Sequence, residues 1–143
     1  MDESGETAPW ARHYTHPGQW DRSFAPQAMT DLFAECVAQN RDKPLLDFYG
    51  RRWTYAEVMA DARAFAAGLQ AHGIARGDRV GLYLPNVPVY VSAYFGAMLA
   101  GAIVVNFSPL YTADELSAQV ADSGTRMLVT IDSSSLLPTA LAV

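Results

Sequence analysis

The most hydrophobic part of the chain runs from Val80 to Ala113, a stretch without a single Asp, Glu, Lys or Arg. A membrane span needs about 20 successive apolar residues, so length alone would allow one here. Pro85-Asn86, Pro88, Gly96, Gly101 and Asn106-Phe107-Ser108-Pro109 cut the stretch into shorter pieces. Punctuation of that kind marks turns and element ends. The pieces predict a buried strand over 79–84, a nearly all-apolar helix over 89–100 and a second buried strand over 102–105. Residues 126–131 predict a third. Apolar runs of strand length that alternate with helices imply βαβ units, and a parallel sheet with helices on both faces.

The flanking segments carry the helix and turn signals. Leu32, Phe33, Cys36 and Val37 recur at helical spacing, which predicts a helix to about Asn40 with Thr30 as its cap. After Pro44, residues 45–49 and 51–53 read as two short strands joined at Gly50, a small N-terminal hairpin. Thr54 and Glu57 have capping-box spacing: each side chain can satisfy the other residue's backbone amide. The helix they open carries Val58, Ala62, Phe65, Ala66 and Leu69 on one face, and Gly73 stops it. Gly77-Asp78 is a turn. Thr112 and Glu115 repeat the capping box, and Gly124 closes that helix. Asp132 to Ser135 offer caps for a last helix, with Pro138 in its first turns. Residues 1–27 lack periodicity and read as an extended arm, anchored through Trp10, Tyr14, Trp20 and Phe24. Residues 28–143 form the folded unit.

Composition narrows the class. The 143 residues are 50% hydrophobic and 17% charged, an ordinary globular balance. A net charge of −5 argues against nucleic acid as a partner. The single cysteine, Cys36, forbids an internal disulfide and fits a reducing, cytoplasmic compartment. The acidic N-terminus lacks the basic and apolar regions of a signal peptide, and no transmembrane segment is expected.

Candidate chemistry is sparse. A Walker loop needs a lysine before Ser or Thr, but the only lysine, Lys43, precedes Pro44. No GxGxxG follows a strand, and no Gly-x-Ser-x-Gly elbow exists. Ser133, Ser134 and Ser135 follow a strand, where ligand sites lie in α/β sheets, yet they serve as helix caps more simply. His13, His16 and His72 lack the companions of a metal site. His72 suits a helix C-terminus on charge grounds. Asp114 and Glu115 sit in a first helical turn, where negative charge is favoured anyway. The loop from Asn106 to Tyr111 follows a strand's carboxyl end and could border a ligand crevice. No residue is assigned a catalytic, cofactor-binding or metal-ligating role.

Four segments in series resemble the adenylate-forming, AMP-binding enzymes, and more narrowly the medium- to long-chain fatty acyl-CoA ligases. They are Trp53-Thr54-Tyr55-Ala56-Glu57-Val58; Gly77-Asp78-Arg79-Val80 leading to Leu84-Pro85-Asn86; Ala100-Gly101-Ala102 through Asn106; and Pro109-Leu110-Tyr111-Thr112 through Glu115-Leu116 to Asp122-Ser123-Gly124. The resemblance covers about residues 30–132. It implies the N-terminal part of an acyl-CoA synthetase-like fold. It implies a parent enzyme that joins a fatty acid to CoA through an acyl-adenylate, using ATP, Mg2+ and CoA. The parent would be cytoplasmic, able to sit peripherally at the inner membrane. The family's phosphate loop, ribose-binding acid and lid lysine have no matching positions here. This chain therefore reads as an N-terminal fragment, silent by itself and binding no cofactor. Its partner would be the remainder of the ligase, and it should expose an apolar face and self-associate as a homo-oligomer. The alternative is a non-catalytic binding or dimerisation module of the same fold. A third reading, an unrelated nucleotide-binding domain, lacks a glycine-rich loop to support it.

Overall fold

The computed structural model describes residues 9, 10, 13 and 22–143. Helix α1 (Met29–Asn40) precedes a hairpin of β1 (Pro44–Phe48) and β2 (Arg51–Thr54). Tyr49 and Gly50 at its tip have φ of 50° and 81°. Positive φ at both positions is what a two-residue turn needs to match the strands' right-handed twist. The strands pair antiparallel with one irregularity between Pro44 and Leu46.

Helix α2 (Tyr55–Ala71) starts at the Thr54 capping box. The Thr54 amide donates to Glu57 Oε2 at 2.7 Å, and the Glu57 amide donates to Thr54 Oγ1 at 3.2 Å. At its other end Gly73 is left-handed at φ 80°. The Ile74 amide donates to the Leu69 carbonyl and the Gly73 amide to the Gln70 carbonyl, each at 3.0 Å. That pair of bonds is a Schellman closure, which satisfies carbonyls the helix end leaves open. Leu69 and Ile74 are both buried in one core cluster, completing it.

Three parallel strands follow: β3 (Arg79–Tyr83), β4 (Ile103–Phe107) and β5 (Met127–Val129). Their order is β4-β3-β5, with Val80 opposite both Val104 and Met127. Helix α3 (Pro88–Leu99) connects β3 to β4, and α4 (Ala113–Ser123) connects β4 to β5. Helix α5 (Leu136–Leu141) follows β5. The period-2 pleat of β3 sorts the core. Val80, Leu82 and Leu84 face α2 and α3, joined by Leu69, Ala93 and Ala97. Tyr83 faces the opposite side with Phe107, Leu116 of α4 and Leu136 of α5. A third cluster centres on Phe33, Val58 and Met59 beneath the hairpin, where Phe33 and Phe95 stack with ring centroids 3.9 Å apart.

Two glycines allow close approach. A Cβ at Gly81 would fall 2.3 Å from the Phe107 ring. A Cβ at Gly96 would fall 2.6 Å from the Ala62 carbonyl oxygen and 2.9 Å from Phe65. The crossing of α2 and α3 is built on small residues: Ala62, Ala66, Ala93, Gly96 and Ala97.

Several expectations are corrected. Thr30 lies inside α1, whose N-cap is Ala28 without a side-chain bond; the helix begins on the backbone alone, two residues early. Of the α1 stripe only Phe33 is buried, while Cys36 is half-buried and Leu32 exposed. The third strand is three residues long, and its residues are half-buried. Strand β4 is not fully buried either, with Ile103 49% exposed. The reason is positional: among the described residues β3 alone has a neighbour on each side. Trp10 and Phe24 are 60% and 76% exposed; Tyr14 and Trp20 lie outside the described residues. The cap expected from residues 132–135 does form: Ser133 Oγ accepts from the Leu136 amide at 3.1 Å, while Ser135 takes the N-cap position without a side-chain cap bond.

Candidate functional site

In parallel α/β sheets ligands collect outside the carboxyl ends of the strands. Here β3 leads into Leu84-Pro85-Asn86-Val87, β4 into Ser108-Pro109-Leu110-Tyr111, and β5 into Thr130 to Ser133. These loops share one end of the sheet. The loops after β3 and β5 turn toward opposite faces, because α3 packs with the Val80 cluster and α5 with the Tyr83 cluster.

The loop after β4 is held from within. The Tyr111 amide donates to the Ser108 carbonyl at 3.1 Å, and the Leu110 amide donates to Ser108 Oγ at 3.3 Å. Tyr83 Oη, from the buried centre of β3, donates to the Tyr111 carbonyl at 3.2 Å. Leu110 at the tip is 88% exposed. Asn106, on β4, accepts from Tyr90 Oη at 2.8 Å through Oδ1. Burial raises the Tyr90 phenol above its usual pKa, and neighbouring Tyr94 adds to the shift. Thr130 Oγ1 is buried and unpartnered among the described residues. No local pattern marks Tyr90 or Thr130; both depend on which elements pack against them.

Among the described residues this rim offers phenol, amide and hydroxyl groups that can shape and orient a ligand. The raised pKa of Tyr90 moves its titration further from neutral pH. Ser133 and Ser135 are 3.4 Å apart and serve the start of α5. His72 takes its predicted place at the end of α2, its Nδ1 2.8 Å from the Gly68 carbonyl oxygen.

Helix N-termini are the usual seats for phosphate, and two are already filled by carboxylate. Glu57 and Glu115 occupy the starts of α2 and α4; backbone amides of Thr54 and Thr112 hold both below the usual carboxylate pKa. A nucleotide phosphate there would meet like charge. Lys43 Nζ donates to Asn40 Oδ1 at 3.0 Å, while its carbonyl accepts from the Tyr55 amide at the start of α2 at 3.1 Å. No group of three or more His, Cys, Asp or Glu converges among the described residues. The described residues do not fit ATP or its magnesium.

The comparisons with known proteins follow the same line. The family described as AMP-binding enzyme matches residues 33–142. A long-chain-fatty-acid–CoA ligase of Bacillus subtilis is 35% identical over 124 residues, 87% of this chain and 22% of the relative. One of Escherichia coli is 42% identical over 106 residues, 73% of this chain and 19% of the relative. This chain thus spans about a fifth of the length of these relatives. Among solved structures, the N-terminal subdomain of Klebsiella oxytoca NpsA in complex with 3-hydroxybenzoyl-AMSN superposes with a TM-score of 0.72 at 25% identity, over 77% of this chain and 28% of that one. A benzoate CoA ligase from Burkholderia xenovorans shares the fold at a TM-score of 0.73 and 21% identity, over 79% of this chain and 23% of that one. With most of its length matched, its motifs in order and its sheet superposed, this chain belongs to the adenylate-forming, AMP-binding enzyme family.

Proposed function

We propose that this chain is the N-terminal part of a fatty acyl-CoA ligase and supplies framework, not reaction centre. Residues 28–143 would be the first subdomain and residues 1–27 an arm preceding it. The observation that carries this reading is the match to long-chain-fatty-acid–CoA ligases over 73–87% of this chain but only 19–22% of theirs. In the parent enzyme the fatty carboxylate would attack ATP, forming an acyl-adenylate and releasing pyrophosphate. The CoA thiol would then displace AMP. Activation is required because a carboxylate oxygen leaves poorly and AMP leaves well. ATP, Mg2+ and CoA would be held by the remainder of the ligase, in the cytoplasm.

One observation favours a second acid class. A 4-coumarate–CoA ligase of Humulus lupulus is 38% identical over 99 residues, close to the bacterial values, so this region serves ligases of aryl acids too. The test is acid-dependent exchange of labelled pyrophosphate into ATP by the complete polypeptide, with fatty acids of several lengths set against 4-coumarate and benzoate. Exchange driven by fatty acids supports the proposal. Exchange driven only by aryl acids moves the substrate class, and none with any acid rejects ligase activity.

A further inference from the structure

We infer that the cavity between the hairpin, α2 and α3 is a binding site for a small arylalkylamine: a compact aromatic body that carries a protonated amine on a short arm. The inference goes beyond the ligase reading and does not depend on it.

The cavity follows from how the elements pack. Helices α2 and α3 touch closely where Gly96 meets the Ala62 carbonyl and Phe65. Crossed helices part on either side of such a contact. Toward the start of α3 the hairpin roofs the gap, and a cavity of about 200 Å3 remains. Leu46 and Trp53 of the hairpin, Val58 and Phe65 of α2, and Val89 of α3 give it apolar walls. An apolar cavity of about 150 Å3 takes a benzene molecule, so this one takes a benzene ring with a short arm. The Trp53 and Phe65 rings favour an aromatic occupant, because stacked or edge-on rings gain more than the area they bury.

Two polar groups specify the arm. Ser92 lines the cavity and is only 6% exposed. A helical serine ordinarily bonds to solvent or to a carbonyl one turn back, yet the Ser92 hydroxyl has no hydrogen-bond partner among the described residues. It is not sealed off like Thr130 Oγ1, so it still meets open space, and the cavity is space that Ser92 borders. Asp61 of α2 stands on the same cavity, exposed, its carboxylate without a hydrogen bond or ion pair among the described residues. Beyond Leu46 and Pro88 a second depression, of about 250 Å3, also holds a carboxylate, that of Asp47. That one is already engaged, accepting from Arg52 Nε at 2.9 Å. The free oxygens of Ser92 and Asp61 together call for a group that donates hydrogen bonds and carries positive charge, which is an ammonium. The aromatic walls add to the preference, since a ring face attracts cations. Trp53 already does so, with the Arg51 guanidinium carbon 4.4 Å from its ring centroid. An alcohol of the same shape would keep the Ser92 bond and lose the attraction of Asp61.

Calorimetric titration of the complete polypeptide with benzylamine, set against benzyl alcohol, tests the assignment. Benzylamine should bind saturably, and at least about tenfold more tightly than benzyl alcohol. Asp61→Asn removes a charge that has no structural partner, so the protein should stay folded while benzylamine falls to the affinity of the alcohol. Ser92→Ala should weaken both compounds, and Val89→Trp, which fills the cavity, should abolish both. If Val89→Trp does not fold, Asp61→Asn and Ser92→Ala decide. No saturable binding of benzylamine, equal affinity for amine and alcohol, or a preference for the amine that survives Asp61→Asn would each overturn the inference.

Discussion

Substituting Gly96 by alanine sets intrinsic preference against packing. By helix propensity the change stabilises, since alanine exceeds glycine by about 1 kcal/mol inside a helix. By packing it destabilises, because the new Cβ falls 2.6 Å from the Ala62 carbonyl oxygen and 2.9 Å from Phe65 Cβ and Cδ1. The nearest obstacle is backbone, so no rotamer change clears it. Restoring ordinary contact requires α2 and α3 to part by roughly 0.5–1 Å, which forfeits a quarter to a half of each dispersion contact across the seam. Overpacking of this kind costs about 1–3 kcal/mol, and a backbone obstacle puts it in the upper part of that range. Net of propensity, Gly96→Ala should destabilise by about 1–2 kcal/mol. Gly68→Ala is the control. Gly68 lies in α2, exposed, with nothing within 4 Å of a built Cβ, and should stabilise by about 0.5–1 kcal/mol. Urea midpoints with unchanged m-values read both effects. If Gly96→Ala were as stable as the parent or more so, the close crossing of α2 and α3 would be refuted.

Further outcomes follow from the same structure. Gly81→Ala should cost about 1–3 kcal/mol by overpacking against the buried Phe107 ring. Part of that loss should return in the double variant with Phe107→Leu; a double variant no better than the sum of the two single changes would count against the contact. Thr54→Ala and Thr112→Ala should each cost about 1 kcal/mol by removing a helix cap, read as a fall in urea midpoint. Glu57, Glu115 and Asp78 all have carboxyls held below their usual range, by the amides of Thr54, Thr112 and Ala75 respectively, with Arg126 also acting on Asp78. A depressed folded-state value contributes stability above the unfolded carboxylate pKa of about 4 and loses it as pH falls through the folded value. Urea midpoints should therefore drop from about pH 5 downward, and Glu115→Gln should drop less steeply; parallel profiles would refute that role for Glu115.

The local devices were legible in the sequence because they are short-range. Thr54 with Glu57 and Thr112 with Glu115 need only a three-residue spacing, and both boxes form. Gly73 and Gly124 stop helices because the chain turns left-handed immediately after each. The hairpin at Gly50 and the order of strands and helices came from runs and breaks alone. Burial of whole strands did not, because an apolar run records what a strand is suited for, not whether it has a neighbour. Residues 103–107 and 127–129 read like 79–83, yet only the last lies between two partners. The tight contacts at Gly81 and Gly96 were invisible for a similar reason: the Phe107 ring and the Ala62 carbonyl reach them only through the fold. The candidate site was the least legible part. The loop expected over 106–111 does follow a strand's end but begins only at Ser108, because β4 runs through Phe107, and the Tyr90–Asn106 and Tyr83–Tyr111 bonds that fix this region join separate elements. The motifs that carried the family resemblance are caps, turns and buried strands, so they identify a framework without assigning a reactive group.

The central claim is that this region builds a ligase without performing its chemistry. The most direct measurement is fatty-acid-dependent exchange of labelled pyrophosphate into ATP by this chain alone, at mass-verified length, beside the complete polypeptide. The account predicts exchange by the complete polypeptide and none by the isolated chain. Exchange by the isolated chain would contradict it, because the chemistry would then rest on residues described here as caps, turns and core.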